Sequence, residues 1–132
     1  MDPELPRARV RQTCLAFPET REVVQNPVHS AFEVNGKKFA YFLNSHHGDG
    51  VVGLTCKALP GVAGTLVDAD PDRFYLPAYM ARFGWVGMRL DIEPVDWAQA
   101  DQLLREAYLA MAPKRLAKEL EAAKNEGDPK RF

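Results

Sequence analysis

The chain reads as an α+β domain, a two-layer sandwich in which an antiparallel sheet is covered on one face by helices. Three observations carry this reading. Asn35-Gly36 sits between two strand-like runs, Ala31–Val34 and Lys38–Leu43, and Asn-Gly suits a tight hairpin because both turn residues take positive φ. A third strand-like run, Val51–Lys57, follows after a short polar loop, and strands joined by short loops pair antiparallel. Amphipathic helical patterns stand before and after these strands rather than between them, which segregates the helices to one layer.

A first helix is predicted over Leu5–Ala16. Val10, Thr13, Cys14 and Phe17 form its inner stripe, Arg7, Arg9 and Arg11 lie off it, and Pro18 ends it. Phe17–Ser30 reads as a loop with extended pieces, turning at Asn26-Pro27. In the hairpin, Phe32 and Val34 alternate with Glu33, and Phe39, Tyr41 and Leu43 share one face of the second strand. Val52, Leu54 and Cys56 share one face of the third. Leu59–Ala69 fits a short helix, weakened by Gly61 and Gly64. Arg73–Leu76 is extended. In the strand Trp85–Asp91, Val86, Met88 and Leu90 point one way and Trp85, Gly87, Arg89 and Asp91 the other. Asp96 caps the next helix with Gln99 three residues on, and Trp97, Ala100, Leu104, Ala107, Tyr108 and Met111 form its apolar stripe. Lys114–Lys124 is a further helix beyond Pro113.

A length of 132 residues fits one domain, taken as residues 1–124 with a frayed tail over 125–132. With 46% hydrophobic and 27% charged residues, a core is possible without metal or disulfide. Two cysteines are too few for a disulfide scaffold, and both lie in apolar patterns, so Cys14 and Cys56 are expected as reduced core thiols of a cytoplasmic protein. The N-terminal MDPELPRARVRQ has no apolar stretch of signal-peptide type, and no apolar run approaches membrane-spanning length. The net charge is −1, and residues 96–132 hold seven basic against seven acidic groups, so no basic arm marks a phosphate-backbone contact.

Each candidate site also has a simpler role. On the sheet face away from the helices, Trp85 and Arg89 share a row, with Ala40, Phe42 and Lys38 assigned to the matching side of the second strand and Thr55 and Lys57 to that of the third. Aromatics interleaved with cations suit a nucleic-acid surface or a protein interface equally. The alternative is that the Phe74–Phe83 segment covers Trp85 and Phe42, which then only add core. His46, His47 and Asp49 are metal-ligand types, but without a partner spacing they read as a polar loop tip. His29, next to Ser30, is a general-base candidate whose simpler role is structural. Asp68, Asp70 and Asp72 fit turn chemistry, and Lys114, Arg115 and Lys118 a solvated helix face. No glycine-rich phosphate loop, nucleophile elbow or metal-type cysteine pair is present, so no catalytic residue, cofactor or metal is assigned.

Several ordered motifs resemble a known family. They are Ala31-Phe32-Glu33-Val34 with Gly36-Lys37 and Phe39-Ala40, then Val52-Gly53-Leu54 and Cys56-Lys57, then Asp70–Pro77 with Tyr79, then Gly84–Gly87 with Arg89-Leu90-Asp91, and finally Asp96-Trp97, Leu103-Leu104, Tyr108 and Ala112–Leu116. In order and spacing, over about Leu5 to Leu120, they are similar to the small bacterial MmcQ/YjbR-like proteins. The resemblance implies a helix-covered antiparallel sheet laid out like a type III secretion chaperone. It also implies kinship with double-wing DNA-binding domains that meet the duplex with a sheet, and it supplies no catalytic residues.

The expectation is therefore a non-enzymatic interaction module, monomer or homodimer, using a face that includes Lys38, Phe42, Lys57, Trp85 and Arg89. DNA is the first partner considered. A protein partner, as for a chaperone-like adaptor, and a small ligand in a pocket between sheet and helices near Tyr75, Tyr79 and Trp85 are the alternatives.

Overall fold

Helix α1 (Glu4–Leu15) leads into four consecutive strands, β1 (Thr20–Asn26), β2 (His29–Val34), β3 (Lys37–Asn44) and β4 (Val52–Lys57). Helix α2 (Val62–Ala69), the two-residue strand β5 (Phe74–Tyr75), strand β6 (Trp85–Arg89) and helices α3 (Trp97–Met111) and α4 (Lys114–Glu126) follow. This computed structural model describes residues 2–126, apart from the side chains of His47, Lys124, Asn125 and Glu126. Helix α4 thus reaches Glu126, and the remainder of the expected tail, 127–132, lies outside the described residues.

The six strands form one open sheet in the order β1-β2-β3-β4-β6-β5, every pair antiparallel. The α+β two-layer architecture is as the sequence predicts. The meander has one strand more than expected, because Thr20–Asn26, read as loop, is β1. It is an edge strand with Val24 57% exposed, so it lacks the buried alternation that marks an inner strand. The Asn35-Gly36 turn forms with φ of 52° and 75°, the left-handed pair that a two-residue hairpin requires.

Helices α1 and α3 lie on the same sheet face and pack on each other. Val10 and Cys14 of α1 and Leu103, Leu104, Ala107 and Tyr108 of α3 meet Phe32, Val34, Leu54, Cys56, Val86 and Met88 of the sheet in one core. The α3 cap is as read from the sequence, with the Gln99 N–H donating to Asp96 Oδ1 at 3.0 Å. Arg9 and Thr13 both bond the Asp101 carboxylate, at 2.8 Å each, and so fix α1 against α3.

Two sequence expectations need correction. A bulge puts one extra residue, Phe39, into β3: Phe32 faces Ala40 and the next residue, Glu33, faces Lys38. Phe39 therefore packs on Tyr108 of α3, ring centroids 5.6 Å apart, instead of sharing the face of Tyr41 and Leu43. For the same reason Ala40 and Phe42, assigned above to the open face, point into the helix-covered core, both fully buried. Arg7, placed off the inner stripe of α1, is only 4% exposed. Its guanidinium donates to Ser30 Oγ at 2.9 Å, to the Pro27 carbonyl at 2.7 Å and to the His29 carbonyl at 3.4 Å. Such hydrogen bonds make a buried cation tolerable.

Candidate functional site

The register lays one row of residues straight across the face away from the helices: Val23, Ala31, Tyr41, Thr55, Gly87 and Tyr75. Tyr75 belongs to the short outer strand, but its ring folds inward over the sheet. A Cβ added to Gly87 would stand 2.3 Å from the ring, and one added to Gly53 would stand 3.1 Å from the phenol oxygen. Two glycines on adjacent strands thus leave the space in which the ring lies.

After Tyr75 the chain crosses this face as a strap, Leu76–Gly84. Turn hydrogen bonds shape it, from Ala81 N–H to the Pro77 carbonyl at 3.0 Å and from Gly84 N–H to the Ala81 carbonyl at 3.0 Å. It is tied down where the Lys57 amine donates to the Phe83 carbonyl. Tyr79, at the tip, has a φ of 67°, a conformation unfavourable to an aromatic side chain, and is 84% exposed. Sheet and strap enclose a cleft of about 490 Å³. Its floor is Tyr41, Leu43 and Thr55, one wall is Tyr75 with Pro77–Met80, and the mouth carries His46 and Asp49.

The polar groups of this cleft are few and placed. Thr55 is nearly buried, and burial pushes both the Tyr41 and Tyr75 phenols up, Tyr75 to about 12, where Asp49 and Asp91 add to the effect. Both phenols are therefore neutral hydroxyls at neutral pH. The hydroxyls of Tyr41, Thr55 and Tyr75 make no hydrogen bond to other described residues. On the far side of Tyr75 a second hollow is lined by Asp72, Phe74 and Arg89. There Arg89 grips Asp91 through two hydrogen bonds of 2.9 and 3.0 Å. Burial alone would raise the Asp91 carboxyl, but these bonds and one from the Val52 N–H hold it below the usual carboxylate range.

The five residues proposed from sequence as a docking face are not brought together as one. Phe42 is in the core on the other side of the sheet. Trp85 is on the open side but 4% exposed, its ring 5.7 Å from that of Tyr41. Lys57 is its register partner and is bound to the strap, Arg89 is bound to Asp91, and Lys38 faces Glu33 at the hairpin end. Trp85 is thus buried on the open side of the sheet and Phe42 on the helix-covered side.

His29 is buried, and its Nδ1 accepts from the Asn44 N–H at 3.0 Å. Burial, then nearby His46 and Arg7, lower its pKa, which fits the structural role. The His29 and His46 rings meet edge-on at 5.4 Å. Among the described residues no group of three or more histidine, cysteine or acidic side chains could hold a metal. Both thiols are buried and unbridged. The Asp70 carbonyl and carboxylate receive the Arg73 N–H, and Arg115 pairs with Glu19 at 2.7 Å. No described helix is long and apolar enough to cross a membrane.

Solved structures share this fold. The Deinococcus radiodurans protein DR2400, described as a DUF419 domain, is 23% identical with a TM-score of 0.66, over 85% of each chain. A protein from Pseudomonas syringae is 17% identical with a TM-score of 0.62, over 80% of this chain and 97% of that one. None of the curated proteins matches the sequence significantly. Residues 15–110, which span the sheet, the cleft and most of α3, match the YjbR family, and the chain belongs to it.

Proposed function

We propose that this YjbR-family domain binds a small molecule in the cleft between the open sheet face and the Leu76–Gly84 strap. The cleft itself carries the reading. Its volume of about 490 Å³ is that of a ligand site, and apolar walls with a few convergent hydroxyls are what orient a small ligand. The unfavourable backbone of Tyr79 at the rim adds to it, since strain of this kind gathers at binding sites.

The test is an NMR titration of the labelled protein with small aromatic probes. Shifts should gather at Tyr41, Thr55 and Gly87, and Ala78→Trp, which fills the cleft from its exposed wall, should abolish them. Shifts scattered over the surface, or binding indifferent to Ala78→Trp, would count against the cleft.

DNA binding through the sheet needed Phe42 and Trp85 as stacking rings, and both are withdrawn from the surface. A labelled duplex is therefore expected not to shift even at low salt. A salt-steep shift that weakens in Arg89→Ala and Lys57→Ala would restore that reading. A protein partner, or a second copy, is favoured by one observation: the strap exposes Leu76, Tyr79 and Phe83. Light scattering that finds a dimer dispersed by Phe83→Ser would support it. Two buried, unbridged thiols favour a reducing compartment such as the cytoplasm.

A further inference from the structure

We infer that the cleft takes an organic cation, an ammonium group on an apolar or aromatic body; this rests on the ligand-binding reading above. Three tyrosines, Tyr41, Tyr75 and Tyr79, line one cavity together with the Asp49 carboxylate. Aromatic faces carry partial negative charge and attract cations, most strongly where water is excluded. Asp49 uses one oxygen to accept the Val51 N–H at 2.9 Å, so its second oxygen is available at the mouth.

What the cavity lacks points the same way. Among the described residues, no lysine or arginine lines it. The neighbouring cation, Arg89, lies in the hollow beyond Tyr75 and is already neutralised by Asp91 at 2.9 Å. A carboxylate or phosphate entering the cleft would meet aromatic rings and the Asp49 carboxylate, with no lysine or arginine among the described lining residues to receive it and the His46 imidazole beside that carboxylate at the mouth. An ammonium N–H would instead find acceptors in the Tyr41 and Thr55 hydroxyls. Leu43, Val51 and Met80 supply an apolar bed for the rest of the molecule.

Benzylammonium, benzyl alcohol and benzoate share one body and differ in charge, so titrating each into the full-length protein at pH 8 isolates the effect. Benzylammonium should bind about tenfold tighter than benzyl alcohol, with benzoate weakest. Asp49→Asn retains the oxygen that accepts from Val51, so the loop keeps its shape. It should remove most of the advantage of benzylammonium over benzyl alcohol. Equal affinity for the amine and the alcohol in the unaltered protein, or an amine preference that survives Asp49→Asn, overturns the cation assignment while the cleft remains a ligand site. Failure of all three probes to perturb the cleft resonances overturns both.

Discussion

The ring of Tyr75 occupies the place where any other residue at position 87 would carry its side chain. A Cβ on Gly87 would come within 2.3–2.6 Å of three ring atoms, so strand β6 accepts the fold-over only because it holds glycine there. Gly87→Ala is accordingly expected to cost about 1–3 kcal/mol, the range of an overpacked interior. Urea denaturation measures it. In a Tyr75→Ala background the same change should cost little, and an undiminished cost there would place the clash elsewhere.

Arg7 is the most deeply buried charge described, and its worth lies in the groups it satisfies. Arg7→Met leaves Ser30 and the Pro27 carbonyl without their donor, and a loss of about 2–4 kcal/mol is expected. Arg21, 78% exposed and 4.0 Å from Glu33, is the control: Arg21→Met should change stability by less than about 0.5 kcal/mol. Similar losses in the two variants would mean that burial of Arg7 contributes nothing.

Acid stability should depend on Glu22. Its hydrogen bonds from Arg11, at 2.7 and 2.9 Å, hold the carboxyl below the ordinary glutamate range, assisted by Ser30 and opposed by burial. A depressed folded value means that the unfolded chain takes up the proton first as pH falls. The contribution is therefore complete above the ordinary carboxylate pKa and disappears as pH drops through the lowered folded one. Glu22→Gln should lower stability at neutral pH and flatten the acid limb of a stability-against-pH curve. A mutant curve parallel to that of the parent would remove Glu22 from this role.

Tyr79 separates binding from stability. Its left-handed backbone suits asparagine better than an aromatic residue, and its exposed ring contributes little to folding. Tyr79→Asn should leave thermal stability equal or raise it by about 1 kcal/mol, while weakening aromatic probes several-fold. A clear fall in melting temperature would show that the ring is part of the core.

Most of the scaffold is legible from local chemistry. Asn35-Gly36, the Asp96 cap and the stripe Ala100, Leu104, Ala107 and Tyr108 act over a few residues, and each forms as read. What escaped depends on contacts across the fold. Arg7 stands three residues before Val10 and seven before Cys14, squarely on the buried stripe of α1, and only its charge removed it from the reading. The partner that offsets the charge, Ser30, is 23 residues away. A single extra residue at Phe39 reversed Ala40 and Phe42, which strict alternation cannot anticipate. The tyrosines of the cleft were partly foreseen: Tyr75 and Tyr79 were named for a pocket, but one between sheet and helices. Tyr41 and Thr55 were missed as its floor. The signal available was a pair of glycines, Gly53 and Gly87, in otherwise strong strands.

The outer wall of the cleft joins the sheet through a strand of two residues, Phe74 and Tyr75, whereas its floor belongs to strands of six and eight residues held on both sides. Breaking two ladder rungs is a small excursion beside unravelling the meander. The rampart and the foundation of the cleft therefore come from structural units of unequal tenacity.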